Sequence, residues 1–78
     1  MMRIIRDVEA YQDLTMKVFF TDGVVKLFDI KPLLSCEAFE ELKDINQFLK
    51  VHNHSYFVEW DNEADLSADT LYLEGKTC

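Results

Sequence analysis

Apolar and polar positions alternate over Leu14–Phe20 and again over Val24–Ile30, with Thr21-Asp22-Gly23 between the two runs. Asp-Gly between two alternating segments is one of the strongest hairpin signals a chain can carry. If Asp22-Gly23 is a two-residue turn, Phe20 faces Val25 and Val18 faces Leu27. One surface then reads Leu14, Met16, Val18, Phe20, Val25, Leu27 and forms the core face. The other carries Thr15, Lys17 and Lys26 together with Phe19, Phe28 and Ile30. Those last three are too apolar for a wholly solvated surface, so they are expected beneath another segment of the chain or at an interface with a partner. A three-residue turn with a bulge would exchange the two faces.

The flanking segments predict further short elements. Arg3 to about residue 9 mixes β-branched residues with charges, as an edge strand does, and Asp13 follows in a turn. Pro32 ends the second hairpin strand. Ser35 is placed to cap a helix over about 36–43, with Leu34 and Phe39 as a hydrophobic staple, Phe39 and Leu42 facing inward and Glu37, Glu40 and Glu41 facing water. Asp44 and Gln47 resemble a capping box at the start of a second helix whose Ile45, Phe48 and Leu49 join the core. Lys50–His52 and Ser55–Trp60 read as a second hairpin or a long bent strand, with Asn53-His54 at the turn and Tyr56, Val58 and Trp60 on one buried face. After a polar loop anchored by Leu66, Ser67 caps a last helix that carries Asp69 in its first turn, Leu71 and Tyr72 against the core, and Gly75 at its end. The fold class predicted is α+β: a small antiparallel sheet built from β-hairpins with two or three short helices packed on it, in a single domain over residues 1–78.

With 78 residues, 49% of them apolar and 13% aromatic, the chain has enough hydrophobic material to fold around one modest core. Its net charge of −7 is uneven: residues 59–78 carry six acids against Lys76 alone. Nucleic-acid backbones call for stripes of Lys and Arg, so direct binding to them is not expected, and a basic protein partner fits better. No apolar run is long enough for a signal peptide or a membrane span, which makes the cytoplasm the expected compartment. Cys36 and the chain-terminal Cys78 are not expected to form a structural disulfide.

Candidate chemistry is sparse. Asp61, Glu63, Asp65 and Asp69 match positions 1, 3, 5 and 9 of a calcium-binding loop. However, Leu66 stands where the sharp turn needs Gly, and Tyr72 where a bidentate Glu should close the cage. His52 and His54 lack a third ligand. Ser35, Ser55 and Ser67 sit in no nucleophile elbow, and two glycines cannot make a phosphate-binding loop. Neither a metal nor a cofactor nor catalysis is expected.

The motifs do resemble a known pattern. Phe20-Thr-Asp-Gly23, Asp29-Ile-Lys-Pro-Leu-Leu34, Phe39 with Leu42, Phe48, and the closing set Trp60, Asn62, Asp65, Leu66, Ser67, Asp69, Thr70, Leu71 and Tyr72 are similar to the small bacterial family catalogued as domain of unknown function 2442. The similarity runs over about residues 7–74. Glu63 replaces a usual Gly, which implies strain if the turn needs a positive φ. Ala68 replaces a usual Pro at the first helical position. The resemblance implies an α+β fold without established activity, and members often encoded beside another small protein in what is taken to be a toxin–antitoxin pair.

The function expected is therefore a non-enzymatic protein-interaction module, antitoxin-like, with a homodimer also expected. The alternative is a small-ligand or metal sensor using Asp61, Asn62, Asp65 and Asp69. The stretch from Trp60 to Tyr72 is expected to act first as a structural clasp, with Asp65 hydrogen-bonded to the backbone of its turn.

Overall fold

A computed structural model describes residues 3–77, so Cys78 lies outside the described residues. Strands β1 (Ile5–Ala10), β2 (Thr15–Phe20) and β3 (Val25–Asp29) join a short β7 (Lys76–Thr77) in an antiparallel sheet of order β1-β2-β3-β7. A second antiparallel sheet is built from β4 (His52–Asn53), β5 (Phe57–Glu59) and β6 (Asp65–Ser67). Between the sheets in sequence come 3-10 helices at Lys31–Leu33 and Glu37–Lys43 and a single turn of α-helix, α1 (Ile45–Phe48); α2 (Ala68–Glu74) leads into β7. The α+β class is as expected, with the strands divided between two sheets.

The first strand lies at a sheet edge and its charges face outward. Asp7 accepts the N–H of Val8 at 2.8 Å, which occupies a donor that another chain could otherwise pair with. The first hairpin closes with three residues rather than two. Phe20 N–H donates to the Val24 carbonyl, Gly23 N–H donates to the Phe20 carbonyl, and Gly23 has φ +90°. This is the bonding of a three-residue hairpin loop whose last residue is left-handed. The register is consequently Phe19↔Val25, Val18↔Lys26, Lys17↔Leu27 and Met16↔Phe28.

One residue of shift moves every side chain of β3 to the opposite face. Phe28 and Ile30, expected at a partly covered outer surface, lie in the core beside Met16, Val18 and Phe20. Val25 and Leu27 take the outer face with Phe19, which is half-buried. Of the three proposed interface residues, therefore, only Phe19 is accessible. The arrangement buries the larger pair, Phe28 and Ile30, and leaves the smaller pair outside, which is the better use of apolar surface.

Other expectations change for local reasons. Glu37–Lys43 is 3-10 rather than α-helical, and Cys36, not Ser35, occupies its N-cap without a side-chain bond. Phe39 and Leu42 recur at an interval of three, the repeat of a 3-10 helix, so both turn inward on one line. Asp44 caps α1 by accepting the Asn46 N–H, but one helical turn directs only Phe48 into the core. Ile45 and Leu49 remain 39% exposed.

The second hairpin turns at Ser55-Tyr56, with His54 N–H on the Phe57 carbonyl and Ser55 at φ +72°. Asn53 is unavailable as a turn residue because its side chain accepts the Ser55 N–H and donates to the Ile5 carbonyl. Tyr56 falls in the turn, half exposed, instead of sharing the buried face of Val58 and Trp60. The presumed loop around Leu66 is strand β6, paired Val58↔Leu66 and Glu59↔Asp65. Side chains from both sheets and from the helical segments meet in a single hydrophobic cluster that includes Phe20, Ile30, Leu42, Phe48, Trp60 and Leu71.

Candidate functional site

Trp60 is 1% exposed. Its indole N–H donates to the Phe48 carbonyl at 2.8 Å, its ring stacks near Phe48 at 6.0 Å between centroids, and Phe39 meets it edge-on at 6.4 Å. A single side chain thus fastens both helical segments to the second sheet. The turn after it repeats the first hairpin turn: Trp60 N–H bonds to the Ala64 carbonyl, Glu63 N–H bonds to the Trp60 carbonyl, and Glu63 has φ +71°. The strain implied by Glu in place of Gly is present.

Asn62 holds this turn by accepting the Ala64 N–H at 3.1 Å. The sequence predicts Asp65 in that role. Instead it sits on β6 with its carboxylate exposed on the outer face, because strand pairing with Glu59 turns it away from the loop. Leu66 is buried, and Ser67 caps α2 by accepting the Thr70 N–H at 3.1 Å. Ala68 N–H donates to the Tyr56 carbonyl at 2.8 Å, a bond that a Pro at this position would forgo.

The end of the motif reaches back to the first sheet. Asp69 pairs with Arg3 at 2.9 Å. The Arg3 guanidinium lies 4.3 Å from the centre of the Tyr72 ring, Lys26 lies 5.2 Å from it, and Phe20 meets it edge-on at 5.0 Å. The Tyr72 hydroxyl donates to Asp22 in the first hairpin turn at 3.3 Å. Gly75 then ends α2 with φ −70°. Its requirement is space: a Cβ there would fall 2.6 Å from the Leu71 carbonyl oxygen and 2.9 Å from the Lys26 Cβ.

The residues proposed for a metal or small ligand do not converge. Asp61 pairs with His52 at 2.9 Å, Asn62 is used by its turn, and Asp69 is used by Arg3. Among the described residues no three His, Cys, Asp or Glu side chains are gathered to hold a metal ion. His54 stacks on Phe57 and approaches Glu59 at 3.3 Å on the outer face of the second sheet. No polar or charged side chain among the described residues is buried, so the available chemistry lies on the surface.

The surface feature missed in the sequence is an open cleft of ≈ 780 Å³ where the Glu37–Lys43 segment and α1 meet the Trp60–Ala64 turn. Glu40, Glu41, Asp44 and Asp61 line it, with Lys43 as the one cation in the lining. The glutamates occupy the solvated face that the sequence predicts for them. Their gathering with Asp61 depends on Trp60 docking two segments far apart in sequence.

These features define a small α+β protein whose closing motif, Trp60 to Tyr72, contacts residues of both sheets. The chain matches the family model described as protein of unknown function (DUF2442) over residues 5–77, nearly its whole length, and belongs to that family. No curated protein and no solved structure matches it. Among the described residues, no helix is long and apolar enough to cross a membrane.

Proposed function

We propose that this protein is a non-enzymatic interaction module that receives a basic protein partner, as the antitoxin-like member of a two-gene pair. The observation that supports this most directly is the acidic cleft lined by Glu40, Glu41, Asp44 and Asp61. Carboxylates converging from two segments raise the local negative potential, which steers and retains a cationic segment of a partner. An overall charge of −7 acts in the same direction.

The test is a pull-down from the native host with the wild-type chain and with Glu40→Gln/Glu41→Gln/Asp61→Asn as baits, followed by calorimetry with the purified partner at two salt concentrations. The wild type should retain a basic protein, binding should weaken with salt, and the neutralised variant should lose it. Equal capture by both baits would move the interface elsewhere. Recovery of no protein by either bait would end the interaction reading.

A further inference from the structure

The outer face of the β1-β2-β3-β7 sheet is accessible throughout: each of its residues is half-buried or exposed. It is also balanced in charge on a strongly acidic molecule. Arg6, Lys17 and Lys76 stand there against Asp7, Glu9 and Asp29, so a basic partner gains little from it. Along its centre runs an apolar patch of Phe19, Val25 and Leu27. One row of paired residues crosses all four strands in the order Glu9, Lys17, Leu27, Lys76. The acid is at one edge of the sheet and the base is at the other.

We propose that this face pairs with the same face of a second copy, about a two-fold axis that runs parallel to the strands between β2 and β3. Rotation about that axis lays β1 of one copy over β7 of the other and keeps each row in place. Glu9 then opposes Lys76 at both ends of the row, Lys17 lies over Leu27, and Phe19 lies over Val25. The charge pattern selects this axis. A two-fold axis perpendicular to the strands would stack β1 on β1 and bring Asp7 and Glu9 against their own images, which like charges oppose. Face-to-face sheets packed with near-aligned strands are a common arrangement, and a closed two-fold pair is the usual form of a homo-oligomer. The pairing involves no residue of the acidic cleft, so it stands independently of the partner reading.

The experiment is sedimentation of the whole chain from micromolar to about millimolar concentration, the range a small interface requires. It is repeated for Glu9→Lys, Lys76→Glu and the double reversal, with circular dichroism confirming the fold of each. Glu9 and Lys76 are both exposed, and within one chain they stand three strand spacings apart, roughly 14 Å. Rescue by the double reversal therefore cannot arise inside one chain. The wild type should dimerise, each single reversal should weaken the dimer about tenfold, and the double reversal should return it to within about threefold of wild type. Zero-length carbodiimide cross-linking of the wild-type dimer should join Glu9 to Lys76. A chain monomeric throughout, a dimer indifferent to the single reversals, a double reversal weaker than either single change, or cross-links mapped only to other residues would each overturn the proposal.

Discussion

The turns that close Phe20–Val24 and Trp60–Ala64 have the same backbone and different occupants. Each starts at a buried aromatic residue whose N–H and carbonyl make the two closing bonds, each has an Asx at the third position that accepts the N–H of the fifth, and each has its fourth residue at positive φ. That fourth residue is Gly23 in the first turn and Glu63 in the second. The β1–β2 connection, Tyr11–Thr15, has the same bonding with Asp13 as its Asx and Leu14 at φ +65°. One loop geometry therefore serves three places in the chain, and Gly is not obligatory for it. The aromatic anchor and the Asx bond supply what the left-handed residue costs, about 1–2 kcal/mol for a side chain that is not Gly.

The largest test of that comparison concerns the anchors. Trp60→Ala should cost about 3–5 kcal/mol and exceed Phe20→Ala, because it also leaves the Phe48 carbonyl without its indole donor. Tyr11→Ala, at a half-buried position, should cost less than both. Urea unfolding midpoints rank the three, and a Phe20→Ala variant weaker than Trp60→Ala would break the asymmetry.

Exchange of the fourth residues comes next. Gly23→Glu meets no atom within 4 Å of its Cβ, so its expected loss of about 1–2 kcal/mol is backbone strain alone. The reverse change, Glu63→Gly, should stabilise the protein by about 1 kcal/mol or less, since relief of strain is offset by the greater freedom of Gly in the unfolded chain. Thermal unfolding of the two variants should move in opposite directions. A loss of stability in Glu63→Gly would mean that the glutamate side chain contributes to the turn.

The smallest effect is one of pH. The side-chain hydrogen bond from Thr15, with its backbone N–H and nearby Lys31 adding to it, holds the Asp13 carboxyl below its ordinary value of 3.8. A depressed folded-state value stabilises the fold above the unfolded value, and that contribution is lost as pH falls through the folded one. Asp13→Asn should therefore flatten the pH dependence of stability below about 3.8, read from unfolding curves at successive acid pH values, while leaving the slope near neutrality unchanged.

Much of the local structure was legible because its causes are local. Alternating side chains and Asp22-Gly23 announced the first hairpin, Pro32 its end, and Ser67 with Asp69 the start of α2. Each depends on neighbours within a few positions. Three turns sharing an aromatic, an Asx and a left-handed residue were harder to see, because Leu14 and Glu63 are not residues that normally signal positive φ.

What the chain alone determined, then, was which segments extend, which coil and where most of them stop, since backbone preference and capping act over single turns. Tertiary structure decided the face each segment shows. A two-residue loop at Asp22-Gly23 and a three-residue loop at Thr21-Asp22-Gly23 are both compatible with the local sequence, and the choice between them falls to the core, which accepts Phe28 and Ile30 and leaves Val25 and Leu27 outside. The same holds for Tyr56, displaced into a turn by the contacts of Asn53 with β1, and for Asp61, brought beside Glu40 and Glu41 once Trp60 has docked. Strand side chains alternate with a period of two, so a shift of one residue leaves the local sequence signals almost unchanged while reversing what is buried.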